Sequence, residues 1–135
     1  MSSRINTIII IGATTGIREV FARRFHGLSK KCFDLLDPST ISPDAIASEI
    51  TTNLTVPSIL VHYFAPHLLK LAQAGNKTTI FLNSSTLAYI PMGSFPSYIA
   101  PKAGIAALAR VLRQQVSSTP RVASKNKAVF EIVPP

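Results

Sequence analysis

The chain has 135 residues, of which 47% are apolar and 7% aromatic, enough for one domain with a real core and too apolar for global disorder. Fourteen basic against six acidic residues give a net charge of +8, but the basic residues are scattered and carry no interleaved aromatic rings, so a nucleic-acid platform is not expected and a solvated surface or a phosphate-bearing cofactor is the simpler partner. The single cysteine, Cys32, excludes an internal disulfide, and no run of eighteen apolar residues marks a membrane span, so a cytoplasmic protein is expected.

Asn6 to Ile11 is a β-branched apolar run of the kind found in a strand buried on both faces. It leads into Gly12-Ala13-Thr14-Thr15-Gly16-Ile17-Arg18, and a helical pattern with Ile17, Val20, Phe21 and Phe25 on one side follows to about His26. Strand, glycine loop and helix together present backbone N–H groups and a helix N-terminus to a pyrophosphate. Taken alone, the motif reads as an ordinary strand-to-helix turn.

Ser42-Pro43-Asp44 is a helix start: a capping serine, proline at the first helical position and an acid near the positive end of the dipole. Apolar positions Ile46, Ile50, Leu54, Val61, Phe64, Leu68 and Leu71 then continue at helical spacing to Gly75-Asn76. Pro57 follows Asn53 by four residues. It cannot donate to the Asn53 carbonyl, which predicts a kink with that carbonyl unpaired. His62 and His67 lie five apart with no third ligand at useful spacing and read as surface or packing residues.

Thr78 to Leu82 forms the next strand and runs into Asn83-Ser84-Ser85. A loop with Pro91, Gly93 and Pro96 precedes a helix from Ser97, as its cap, to about Val116, and Ala128 to Val133 forms a third strand. Tyr98 and Lys102 stand four apart at the start of that helix and therefore share one face, turned toward whatever the strand end presents. A cation beside a phenol favours its ionised form. Ser85 can hold a carbonyl or alcohol oxygen while Tyr98 gives or takes its proton.

Ser85, followed thirteen residues later by Tyr98-Ile99-Ala100-Pro101-Lys102, resembles the active-site segment of the short-chain dehydrogenase/reductase family, with Pro101 where the family usually has a small residue. The resemblance implies Tyr98 as acid/base, Lys102 as its support and holder of the nicotinamide ribose, and Ser85 as the group orienting the substrate oxygen. It makes Asn53-Leu54-Thr55-Val56-Pro57 similar to the segment whose asparagine joins a proton relay through a main-chain water. It also makes Gly12, Thr14, Gly16, Ile17 and Arg18 the cofactor-binding loop, although Ile11 and Arg18 depart from the family's TGxxxGxG.

The implied fold is an α/β, reduced Rossmann-like arrangement in three layers: a small parallel sheet flanked by helices in one incomplete NAD(P)-binding domain. Such folds often run about 200–250 residues. The block between Lys31 and Ser42 that would hold the family's second, third and fourth strands is absent, as is the part beyond Pro135. With the fourth strand missing, either the first shifts across a slot of about 4.8 Å to pair with Thr78 to Leu82, which is the expected arrangement, or the sheet stays split. The expected activity is hydride transfer between NADP or NAD and a small carbonyl or alcohol substrate, in a homo-oligomer with neither membrane nor nucleic acid as partner. The alternative is a catalytically impaired truncated relative with a structural or association role.

Overall fold

A computed structural model describes the backbone of residues 7–11 and all of residues 34–119 and 126–134. The expected glycine loop, the helix after it, and the candidates Gly12, Thr14, Gly16, Ile17 and Arg18 lie outside the described residues.

Three strands form a parallel sheet: β1 Thr7–Ile11, β2 Thr78–Asn83 and β3 Lys127–Ile132, in the order β1-β2-β3. The first strand pairs directly with the second. Thr7 pairs with Thr78 and Ile11 with Leu82, while Leu82 pairs with Glu131 on the other side. A central strand must be covered on both faces, and β2 is buried along almost its whole length.

Parallel neighbours require crossover connections, and the helices supply them. Helix α1 (Pro43–Ile50) opens as its sequence indicates: the Ser42 hydroxyl accepts from the Ala45 N–H at 3.2 Å, with Pro43 in the first turn. The helix then widens into a π turn at Thr51–Thr55 and continues as α2 (Val56–Gln73). The predicted proline kink is therefore realised as a π turn. Pro57 offers no N–H to Asn53, and the ladder adopts the wider spacing, Val56 N–H reaching back to the Thr51 carbonyl.

Helix α2 ends where glycine allows it. Gly75 sits at φ +89°, and the Gly75 and Asn76 N–H groups close onto the Ala72 and Leu71 carbonyls, both at 3.1 Å.

Helix α3 spans Pro96–Ser117. One inward-facing cluster joins these elements: Val61 and Leu68 of α2, Ile105, Ala109 and Leu112 of α3, and Ile80, Leu82 and Val129 of the sheet. On the opposite face Phe81 and Phe130, paired in register, stack at 5.4 Å between ring centroids. Gly104 of α3 lies so close to the π turn that an added Cβ would stand 3.0 Å from both Leu54 methyl carbons. The absence of a side chain there brings the start of α3 against the segment that carries Asn53. No helix among the described residues is long and apolar enough to cross a membrane.

Candidate functional site

Ser85, Tyr98, Lys102 and Asn53 are all buried, and Ser85, Lys102 and Tyr98 are linked to the end of β2. Their burial follows from where the elements end. Beyond Asn83 the chain stays extended through Ser85, whose hydroxyl accepts from the Leu87 N–H at 3.2 Å and caps a short 3-10 turn, Thr86–Ala88. The strand end thus presents the Ser85 hydroxyl already held in a turn.

Helix α3 begins above this point. Its cap is Phe95, which provides no side-chain bond, and not the expected Ser97. Pro96 takes the first helical position, so Ser97 falls inside the helix, where its Oγ is buried without a hydrogen-bond partner. Pro101 lies in the second turn, and the helix runs through it unbroken at the loss of the N–H that would have met the Ser97 carbonyl.

Spacing of four then brings Tyr98 and Lys102 onto one face, as expected. The Lys102 ammonium stands 5.7 Å from the centroid of the Tyr98 ring. It also donates to the Asn83 carbonyl at 3.0 Å, although only 1% of the residue is exposed. A buried charge requires such partners, since an unpartnered one costs several kcal/mol. The carbonyl of Asn83 was not apparent from the sequence as a partner, because no side-chain type announces it.

Asn53 sits buried in the π turn, its side-chain amide donating to the Glu49 carbonyl at 3.0 Å. The side chain is thereby committed to its own helix. His62 and His67 are both solvent-exposed, in keeping with their reading as surface residues.

A further group lies beside the strand end. Glu131, near the end of β3, accepts from the Ser84 hydroxyl at 2.5 Å and from the Tyr89 phenol at 2.6 Å through the same oxygen. The hydrogen bond to Glu131 pushes the Tyr89 phenol above its ordinary value, with Arg110 and Arg113 pulling weakly the other way. An acid inside the otherwise apolar run Ala128 to Val133 is the signal in the sequence for this cluster.

Strand register decides what can assemble here. Ile11, the residue before Gly12, pairs with Leu82, one residue before Asn83. The strand that leads into the glycine segment and the strand that leads into Ser85 therefore end side by side at the carboxyl edge of the sheet, where open α/β sheets bind their ligands.

No protein-family model matches the chain, and no curated protein does. Among solved structures it is similar to a 3-ketoacyl-(acyl-carrier-protein) reductase from Brucella melitensis complexed with NADH, with a TM-score of 0.64 at 16% identity. The match covers 79% of this chain and 41% of the reductase, so the chain spans less than half the length of its structural neighbour. At this identity the likeness establishes the fold, a Rossmann-like α/β arrangement with helices flanking a small parallel sheet.

Proposed function

We propose that the protein is an NAD(P)-dependent oxidoreductase of the short-chain dehydrogenase/reductase type, acting on a carbonyl or alcohol with Tyr98 as the acid/base. The observation that carries this reading is the buried Lys102 ammonium, 5.7 Å from the Tyr98 ring and bonded to the Asn83 carbonyl two residues before Ser85. An ordinary surface lysine would keep its charge in water; this one is held where charge must be balanced.

The residues at the sheet edge fit a nicotinamide dinucleotide in two respects: a buried cation stands beside the phenol, and the strand leading to Gly12–Arg18 ends next to Asn83. When bound, that cofactor supplies or accepts the hydride. Lys102 holds its ribose and favours the negative charge that develops on the Tyr98 oxygen during proton transfer. Ser85 holds the substrate oxygen. Tyr98 gives that oxygen a proton in reduction and takes one in oxidation. The Asn53 main chain, in a turn opened by Pro57, seats the water through which the proton is renewed.

Gly12, Thr14, Gly16, Ile17 and Arg18 are assigned to the pyrophosphate on the resemblance alone. The protein is placed in the cytoplasm as a homo-oligomer. Support for self-association comes from the outer face of α2, where Val56, Ile59, Leu60 and Tyr63 are exposed at helical spacing.

A thermal melt of the 135-residue chain with saturating NADH or NADPH tests the dinucleotide site. Ligand at a hundred times its dissociation constant stabilises the native state by about 2.7 kcal/mol, several degrees for a domain of this size. A rise with one dinucleotide is expected, together with reduction of small carbonyl compounds that Tyr98→Phe lowers by about 10²–10⁴-fold. A cooperative transition moved by neither dinucleotide would overturn the assignment.

A further inference from the structure

We infer that Glu131 is the positioning residue for Ser85, fixing the turn that carries its hydroxyl. The inference rests on the reading that Ser85 orients the substrate oxygen. Glu131 stands opposite Leu82 in the sheet register, one step below the strand end. Its single oxygen Oε1 takes two hydroxyl donors, Ser84 Oγ at 2.5 Å and Tyr89 OH at 2.6 Å. These two residues bracket Ser85: one precedes it, and the other ends the 3-10 turn that Ser85 caps. The carboxylate therefore closes a ring through strand β3, the β2 end and the turn.

Main-chain bonds complete that ring. Ser84 N–H donates to the Ile132 carbonyl at 2.9 Å and Thr86 N–H to the Pro134 carbonyl at 3.1 Å, so these two residues are anchored to the end of β3 and the chain just after it. Ser85 lies between the anchors, and its hydroxyl is oriented by the Leu87 N–H at 3.2 Å. Hydroxyl-to-carboxylate bonds are stronger than neutral ones, which suits a group that must hold a short, half-buried turn. Ser84 is fully buried; without the carboxylate its remaining contact is the Ile132 carbonyl at 3.4 Å, at the limit of a hydrogen bond. Half-exposed Tyr89 would be released into solvent. Arg110 and Arg113 are the charged groups of α3 that act on Tyr89, and neither replaces the carboxylate as an acceptor.

Glu131→Ala and Glu131→Gln separate the roles of shape and acceptor, since a glutamine oxygen can still accept both bonds. In Glu131→Ala the Leu87 and Ala88 amides are expected to exchange with solvent about tenfold faster, and the Tyr89 phenol to titrate at lower pH, identified by its loss in Tyr89→Phe. Glu131→Gln is expected to keep the amides protected. If the alanine variant does not fold, Tyr89→Phe, which removes one of the two bonds, gives the same exchange readout in weaker form.

Turnover provides the second arm. Glu131→Ala is expected to lower kcat/KM about tenfold with Ser85 present and by nothing further in Ser85→Ala, because it acts through that hydroxyl. Unchanged exchange at Leu87 in the alanine variant, or losses that multiply in the double variant, would overturn the inference. A chain with no turnover under any dinucleotide would instead remove the proposed reaction, and amide exchange alone would then decide the role of Glu131.

Discussion

The two ends of the sheet differ in how much polar material they bury. At the amino ends of β2 and β3, Leu68, Ile80, Leu112 and Val129 pack on one another around a small apolar cavity of about 30 Å³. Around the carboxyl ends the buried polar side chains are Asn83, Ser84, Ser85, Ser97 and Lys102, beside the buried Tyr98 ring, while the amino end of β2 buries only the two threonines Thr78 and Thr79 among polar residues. One strand, β2, crosses from the first environment to the second within six residues. Apolar burial stabilises by about 25 cal/mol per Å², whereas a buried hydrogen bond exchanges a bond to water for one to protein and nets only about 1 kcal/mol. The amino end therefore holds the fold, and the carboxyl end is carried by it, with its polar groups fixed in place at little net gain.

That division is broken most severely at Leu82, fully buried where the two environments meet. Leu82→Ala is expected to cost about 2–5 kcal/mol by denaturant titration, because α2, α3 and the sheet all pack on this side chain and little can collapse into the space. Lys102→Met, of similar volume and equal burial, is expected to move stability by less than about 1 kcal/mol, since relief from burying the ammonium offsets the bond lost at the Asn83 carbonyl. It is also expected to remove the dinucleotide-dependent rise in melting temperature. A loss from Lys102→Met as large as that from Leu82→Ala would mean that the carboxyl end is structural after all.

The same contrast explains what could be read from the sequence. Apolar periodicity is a local signal, and it located all three strands to within about one residue: Asn6 to Ile11 against Thr7–Ile11, Thr78 to Leu82 against Thr78–Asn83, and Ala128 to Val133 against Lys127–Ile132. Caps are local too, so Ser42 and Gly75 marked the start of α1 and the end of α2 correctly. The pairing of β1 with β2 followed from asking how a sheet closes once a strand is missing.

Polar connections at the carboxyl end are long-range and were legible only in part. Tyr98 and Lys102 share a helix face, so their proximity could be read from their spacing. Glu131 and Ser84 are 47 residues apart, and no periodicity couples them. The π turn was read as a kink because proline chemistry predicts a lost bond without saying how the ladder adjusts. Ser97 was read as the cap of α3 because its residue type favours caps, yet Pro96 starts the helix one position earlier and displaces it inward.

Ser97 gives the smallest and sharpest test of the division. Its hydroxyl is buried with no partner in the first turn of α3 next to Tyr98, and Pro101 lacks the N–H that would ordinarily reach its carbonyl. Ser97→Ala removes the hydroxyl without changing the backbone and improves helix propensity. If the carboxyl end is held together by the core and not by its own polar groups, the substitution should stabilise the protein by about 1 kcal/mol, read as an increase of a few degrees in melting temperature. Leaving the Tyr98 and Lys102 geometry intact, it should not alter the response to dinucleotide. A destabilisation instead would show that Ser97 is matched by an ordered water, and that this end of the sheet contributes to its own stability.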